Sequence, residues 1–306
     1  MRQAGRYLPE YREERKKYPS FIKACESTEF ILTVTRQPLQ RFPFDYSIIF
    51  SDILFLYHIL GVPVRFEPGV GPLIDTKLDF VWQQEKVMPL LAAITELRRT
   101  LPQQTKLIGF AGSIWTIMTY LLEGKGSKMH VNTIMHCLEE NTVIDTLVDH
   151  TIHYLSLQIE AGVDIIKLFD SWAGSIPHFL HEKLLFSPTK KIVDKLRTKY
   201  PHIPIICFPR GLSVDNYLKF VDIVQPDAVA LDQYINPEDI PKFPITTQGN
   251  LDPHLLLGKA EYLEQHIHTL LEYTHNKSHI YNLGHGILPP TPIENVEKMC
   301  EMIKKS

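Results

Sequence analysis

Short apolar runs rich in β-branched residues alternate with longer amphipathic stretches along the whole chain. The runs fall at 46–50, 106–110, 164–169, 203–208, 228–231, 244–247 and 279–283, and each predicts a strand. Between them the helical period predicts helices over 85–101, 143–161, 188–200, 260–273 and 292–303. In the second of these, Ile144, Leu147, Val148, Ile152, Leu155 and Ile159 share one face, with Gly162 following as a stop. Helix starts are marked by a capping residue ahead of a proline at Ser187-Pro188, Asn236-Pro237, Asp252-Pro253 and Thr291-Pro292. Thr291 with Glu294 also predicts a capping box. No stretch reads as a linker or a low-complexity segment, so the pattern predicts one domain over 1–306.

Strands alternating with helices predict parallel βαβ units and an α/β fold. Seven runs suit either a (β/α)8 barrel of the TIM type or a doubly wound sheet. The residues that end the runs favour the barrel. They are Ser51-Asp52, Ala111-Gly112, Asp170-Ser171, Pro209-Arg210-Gly211, Asp232-Gln233, Gln248-Gly249-Asn250 and Gly284-His285-Gly286. A barrel gathers such strand ends on one face, where active sites sit. A doubly wound sheet concentrates its signals at one crevice, usually with a glycine fingerprint after the first strand, and no such fingerprint is present.

Composition narrows the function classes. The 306 residues carry a formal net charge of -3, which argues against a nucleic-acid or anionic-membrane partner. Four scattered cysteines, Cys25, Cys137, Cys207 and Cys300, form no Cys-x-x-Cys pair. That usage fits a reducing compartment and speaks against a disulfide framework or a thiolate zinc site. The most apolar stretch, near Ile48 to Val62, is interrupted by Asp52 and His58, so no membrane span is expected, and no signal-peptide pattern opens the chain. A cytoplasmic location is the resulting expectation.

Several residues stand out chemically. Arg2 and Arg6 flank Gln3-Ala4-Gly5, a tight turn or loop that would hold two guanidinium groups together, ahead of Pro9 at a helix start. Paired arginines suit carboxylate or phosphate recognition, although a solvated basic terminus has the same look. Asp52 closes a strongly apolar run, a costly place for a carboxylate unless it has partners or a task. Capping of the next helix explains it equally well. Tyr120 can bury its ring while its hydroxyl reaches a polar partner, whereas Trp115, Met118 and Leu122 read as core. The 123–128 stretch reads as a mobile charged loop able to cover a cleft, or as a plain connection. In Gly284-His285-Gly286, the glycines would let the backbone approach a ligand closely.

The string Met1-Arg2-Gln3-Ala4-Gly5-Arg6-Tyr7-Leu8-Pro9-Glu10-Tyr11-Arg12 resembles the signature of the uroporphyrinogen decarboxylase family. The resemblance continues through Ile49-Phe50-Ser51-Asp52-Ile53-Leu54, Ile108-Gly109-Phe110-Ala111-Gly112, Trp115-Thr116, Met118-Thr119-Tyr120 and Phe169-Asp170-Ser171-Trp172-Ala173-Gly174. It ends with Gln248-Gly249-Asn250-Leu251-Asp252-Pro253 and Asn282-Leu283-Gly284-His285-Gly286. It implies a (β/α)8 barrel whose first strand would lie in a segment upstream of Met1. It implies removal of CO2 from the four acetate arms of uroporphyrinogen III, giving coproporphyrinogen III, with no cofactor and no metal. Protonation of a pyrrole carbon makes the ring itself the electron sink. By the resemblance Asp52, Arg2 and Tyr120 are catalytic, and the substrate contacts are Arg2, Gln3, Ala4, Gly5, Arg6, Asp52, Phe110, Tyr120, Ser171 and His285. Arg210 is a further available cation. A homodimer with facing clefts is also implied.

Three rival readings can be set beside this one. A zinc-dependent, corrinoid-linked methyltransferase of the same superfamily needs a His-x-Cys pair, whereas this chain has Ile206-Cys207-Phe208 and puts His285 where a late cysteine would fall. A non-catalytic tetrapyrrole-binding protein would not need both Arg2 and Asp52. A phosphate-handling barrel enzyme would also use paired arginines and glycine loops.

Overall fold

Every one of the seven apolar runs becomes a strand of a single parallel sheet in the computed structural model, which describes residues 5–67, 69–76, 78–139 and 142–305. The strands are β1 (Tyr46–Ile48), a separate antiparallel hairpin of β2 (Val64–Glu67) and β3 (Gly71–Ile74), then β4 (Lys106–Gly112), β5 (Ile165–Asp170), β6 (Ile205–Pro209), β7 (Ala228–Ala230), β8 (Thr246–Leu251) and β9 (His279–Leu283). The α-helices are α1 (Pro9–Lys16), α2 (Phe21–Cys25), α3 (Thr28–Arg41), α4 (Phe55–Ile59), α5 (Gln84–Thr100), α6 (Ile114–Glu123), α7 (Val131–Glu139), α8 (Thr142–Glu160), α9 (Ser187–Lys199), α10 (Val214–Val224), α11 (Ala260–Thr274) and α12 (Ile293–Lys304).

Spatial order follows chain order, β1-β4-β5-β6-β7-β8-β9, with every neighbouring pair parallel. That is the winding of a TIM-type barrel; a doubly wound sheet reverses its order at a switch point. Among the described residues the sheet has seven strands, with β1 and β9 at its edges. A cavity of about 210 Å³ lies along those edges, lined by Tyr46, Ile280, Ile267 and Cys300 among others. The register pairs Gly112 with Phe169 and Asp170 with Pro209, so consecutive strands end nearly level and deliver their last residues to one rim.

Strands β5 and β6 are buried at every position, because helices cover one face and side chains fill the other. The interior filling includes polar residues. Lys167 of β5 is buried, bonds the side-chain oxygen of Gln248 on β8, and lies 5.1 Å from the Phe169 ring centroid and 5.8 Å from that of Phe208.

Three of the predicted caps do not form. Ser187 continues a π-helical turn, Glu182–Phe186, so the helix starts earlier and the serine caps nothing. Asn236 precedes a 3-10 turn without a side-chain bond to it. Thr291 lies outside the start of α12, its hydroxyl buried and without a hydrogen-bond partner among the described residues, and no capping box is made. Asp252 caps as expected, accepting from the His254 N–H at 2.9 Å.

Candidate active site

At the rim, the chain leading into α1 is held by aromatic burial. Gly5 has φ +64°, the left-handed region that favours glycine, and its carbonyl accepts from the Leu8 N–H at 2.7 Å. Tyr7, Leu8 and Tyr11 are buried. Tyr7 stacks on Phe42, and Tyr11 packs against Phe30 and Phe50. Arg6 is carried by this anchored turn, and its guanidinium lies 5.2 Å from the Phe21 ring centroid, a stacking that restrains the fork without spending its donors.

Asp52 sits just beyond β1. The strand's ladder continues as the Ile49 N–H bonds the Ile108 carbonyl at 3.0 Å, and the Phe50 N–H then bonds the Thr35 hydroxyl at 3.0 Å. The chain next turns into α4. The Asp52 carboxylate accepts from the Leu54 N–H at 2.9 Å and its carbonyl from the Phe55 N–H at 3.1 Å. Asp52 therefore borders a cavity and shapes the turn ahead of α4, but it does not cap that helix, whose N-cap is Leu54 with no side-chain cap bond. Burial pushes its carboxyl above the usual aspartate value, while the Leu54 N–H and the Arg6 charge pull it back.

That cavity, about 190 Å³, gathers side chains from four strand ends and the α1 turn. Arg6, Asp52, Ser51, Ser171 and His285 supply polarity, and Ile48, Ile49, Phe50, Ile53, Phe110 and Phe169 supply apolar walls. Phe110 and Phe169 meet edge-to-face at 5.5 Å. His285 accepts the Gly286 N–H at its Nδ1, 2.7 Å, which leaves the proton of a neutral ring on Nε2. A Cβ on Gly284 would lie 2.4 Å from the Gln233 nitrogen, so its smallness allows two chain segments to pass, and Gly286 lines the cavity.

Tyr120 is absent from the cavity lining but close enough for Asp52 to act on it. Burial raises its hydroxyl's pKa, the Trp172 indole opposes that shift, and the Asp52 charge adds to it. Arg2, Gln3 and Ala4 lie outside the described residues. Arg210 also does not line the cavity; its guanidinium lies 5.9 Å from the Tyr234 ring centroid. The 123–128 loop is tied down: Gly124 accepts from the Ile74 N–H at 2.8 Å, Lys125 bridges to Leu73, and Glu123 accepts from both the N–H and hydroxyl of Thr133 at 2.9 Å. The expectation of a mobile cover is thus replaced by a loop bonded to the β3 hairpin and to α7.

The sequence model of the uroporphyrinogen decarboxylase family matches residues 1–306. The chain belongs to the uroporphyrinogen decarboxylase family. It is 43% identical to the uroporphyrinogen decarboxylase of Rickettsia bellii over all of this chain and 93% of that protein. It is 39% identical to the uroporphyrinogen decarboxylase of Cereibacter sphaeroides, over 99% of this chain and 93% of that one. Among solved structures, a methyltransferase from Methanosarcina mazei has a TM-score of 0.77 at 16% identity, covering 96% of this chain and 90% of that one, which shows the shared fold. The family resemblance drawn from the motifs is thereby shown. Asp170, beside Ser171, closes an apolar run in the sequence as Asp52 does, but it does not line the cavity.

Proposed function

We propose that this chain removes CO2 in turn from the acetate arms of uroporphyrinogen III, a carboxy-lyase step of tetrapyrrole synthesis giving coproporphyrinogen III. The observation that carries this reading is the Asp52 carboxylate on an aromatic-walled cavity shared with Arg6 and His285, in a chain that belongs to this family. Loss of CO2 leaves an electron pair on the arm's methylene carbon. A proton added to the neighbouring pyrrole carbon turns the ring into a cation that accepts this pair. The methylene then takes up a proton, the ring carbon releases its own, and a methyl group remains. Overall one proton is consumed and one CO2 leaves.

In this scheme Asp52 accepts the pyrrole N–H groups and offsets the ring's positive charge, a preorganised anion inside a largely apolar wall. Arg6 holds a substrate carboxylate with two parallel bonds. Family resemblance gives Arg2 the reacting acetate and Tyr120 a place beside Asp52. Phe110, Ser171 and His285 contact the macrocycle and its propionates. We also propose a single-domain, cytoplasmic homodimer with facing clefts; no helix among the described residues is long and apolar enough to cross a membrane. Anaerobic incubation with uroporphyrinogen III, followed by oxidation and chromatography of the products by carboxylate number, tests the reading. Stepwise conversion to a four-carboxylate product is expected. Unchanged substrate would overturn it.

A further inference from the structure

Asp170 does not reach the cavity, yet it is tied to the helix that carries Tyr120. As the last residue of β5, between Phe169 and Ser171, its side chain falls on the opposite side from the cavity-lining pair. It is buried, and its Oδ1 accepts from the Thr116 hydroxyl at 2.5 Å and from the Thr116 N–H at 3.2 Å. Thr116 is in the first turn of α6, whose N-cap Ser113 makes no side-chain cap, so a carboxylate from the neighbouring strand takes up an open helix donor instead. The same hydroxyl accepts from the Trp172 N–H at 3.0 Å. The Trp172 carbonyl in turn accepts from the Trp115 indole at 3.0 Å and from the Ser175 hydroxyl at 2.7 Å. Tyr120 follows Thr116 by one helical turn on the same face, and its ring lies 6.4 Å from that of Trp172.

We propose that Asp170 and Thr116 form a positioning clamp that fixes Tyr120 against Asp52 and Ser171 against the cavity, so that the spacing of these groups is set from behind the site. The inference rests on the functional reading above. Two facts on either side of the clamp support it. One bond pattern joins the end of β5 to the start of α6; Ser171, the next residue after β5, lines the cavity, and Tyr120, one turn along α6, lies within reach of the Asp52 charge. Desolvation also pushes the Asp170 carboxyl up to about 6 despite the Thr116 bonds, so the clamp is kept at a cost in charge burial that an apolar pair would avoid.

The test is a double-mutant cycle on decarboxylation of uroporphyrinogen III. Thr116→Val keeps the branched shape and removes the hydroxyl; kcat should fall about tenfold with KM within about twofold, as for a misplaced reacting group. Thr116→Ser, which retains the hydroxyl, should restore kcat to within about twofold of the parent. In a Tyr120→Phe background, Thr116→Val should add much less loss than it does alone, because Tyr120, on the helix that Thr116 opens, is the clamp's main route to the reaction. Asp170→Asn, which keeps an acceptor but not the charge, should move kcat in the same direction, and it carries the test if Thr116→Val does not fold. Parent-like kcat in both Thr116→Val and Asp170→Asn, or losses that multiply fully with Tyr120→Phe, would overturn the clamp. A parent protein that leaves uroporphyrinogen III untouched would instead sink the functional reading, and the clamp with it.

Discussion

Asp52 and Asp170 occupy matching places in the sequence pattern, each following an apolar strand at the rim of the barrel, yet the structure puts them in opposite settings. Asp52 borders the cavity, bonded to one backbone N–H and within reach of the Arg6 charge. Asp170 faces away from it, bonded twice by one threonine, with burial raising its carboxyl to about 6. A carboxylate at a strand end is therefore not one signal. At β5 the period-two alternation turns Asp170 toward α6, whereas Asp52 lies beyond the end of β1 in the stretch 48–53, every residue of which lines the cavity. Asp232 after β7 is a third variation, fully buried and bonded by the Gly211 N–H at 2.6 Å, the Tyr217 hydroxyl at 3.1 Å and the Tyr234 N–H at 2.9 Å.

Three substitutions sharpen or break this contrast. The largest effect is expected at Asp52. Asp52→Asn keeps the turn into α4 and removes the charge, so kcat/KM should fall by about 10²–10³ with thermal stability little changed. In the parent, kcat/KM should fall at the acid side through a carboxyl value above the ordinary 3.8, since burial raises this group. A parent-like pH–rate profile in the variant would break the contrast.

Asp170→Asn should show its clearest effect on stability. Folding raises this carboxyl from 3.8 to about 6. Between those values the folded chain binds the extra proton, so the group favours folding at acid pH and that contribution is lost as pH rises through about 6. The whole shift corresponds to about 3 kcal/mol. Urea midpoints at pH 4 and pH 7 should show the variant gaining on the parent by up to about 3 kcal/mol over that range. A constant difference at both pH values would refute the assigned burial cost.

The smallest effect belongs to Arg6. Arg6→Lys keeps the charge but loses the planar fork stacked near Phe21, so KM should rise about tenfold with kcat nearly unchanged. A fall in kcat with unchanged KM would move Arg6 from holding substrate to the reaction step.

Much of the fold was legible because apolar runs and helical faces report burial directly. All seven strands appear where the runs predicted them, and 279–283 coincides with β9. Strand β8 shows why limits were missed. The run 244–247 stops where polar residues begin, but the strand continues to Leu251 because Gln248 is bonded by Lys167 and the Asn250 amide bonds the Ile235 carbonyl inside the protein. Polar residues that satisfy each other across the barrel look like loop in a sequence. The missed caps have a related cause: Ser187 follows residues that were already helical, a continuity set by packing and not by local preference. At the site, Arg6, Asp52, Phe110, Ser171 and His285 line one cavity, whereas the bond between Asp170 and Thr116 leaves no mark in the sequence because it joins residues 54 positions apart.

The measurement that tests the central claim most directly is a side-by-side assay of Asp52→Asn and Asp170→Asn with uroporphyrinogen III across pH 5 to 8. The account predicts that Asp52→Asn is nearly inert at every pH although folded, while Asp170→Asn retains substantial turnover with its loss confined to kcat. Turnover by Asp52→Asn at the parent rate would contradict it.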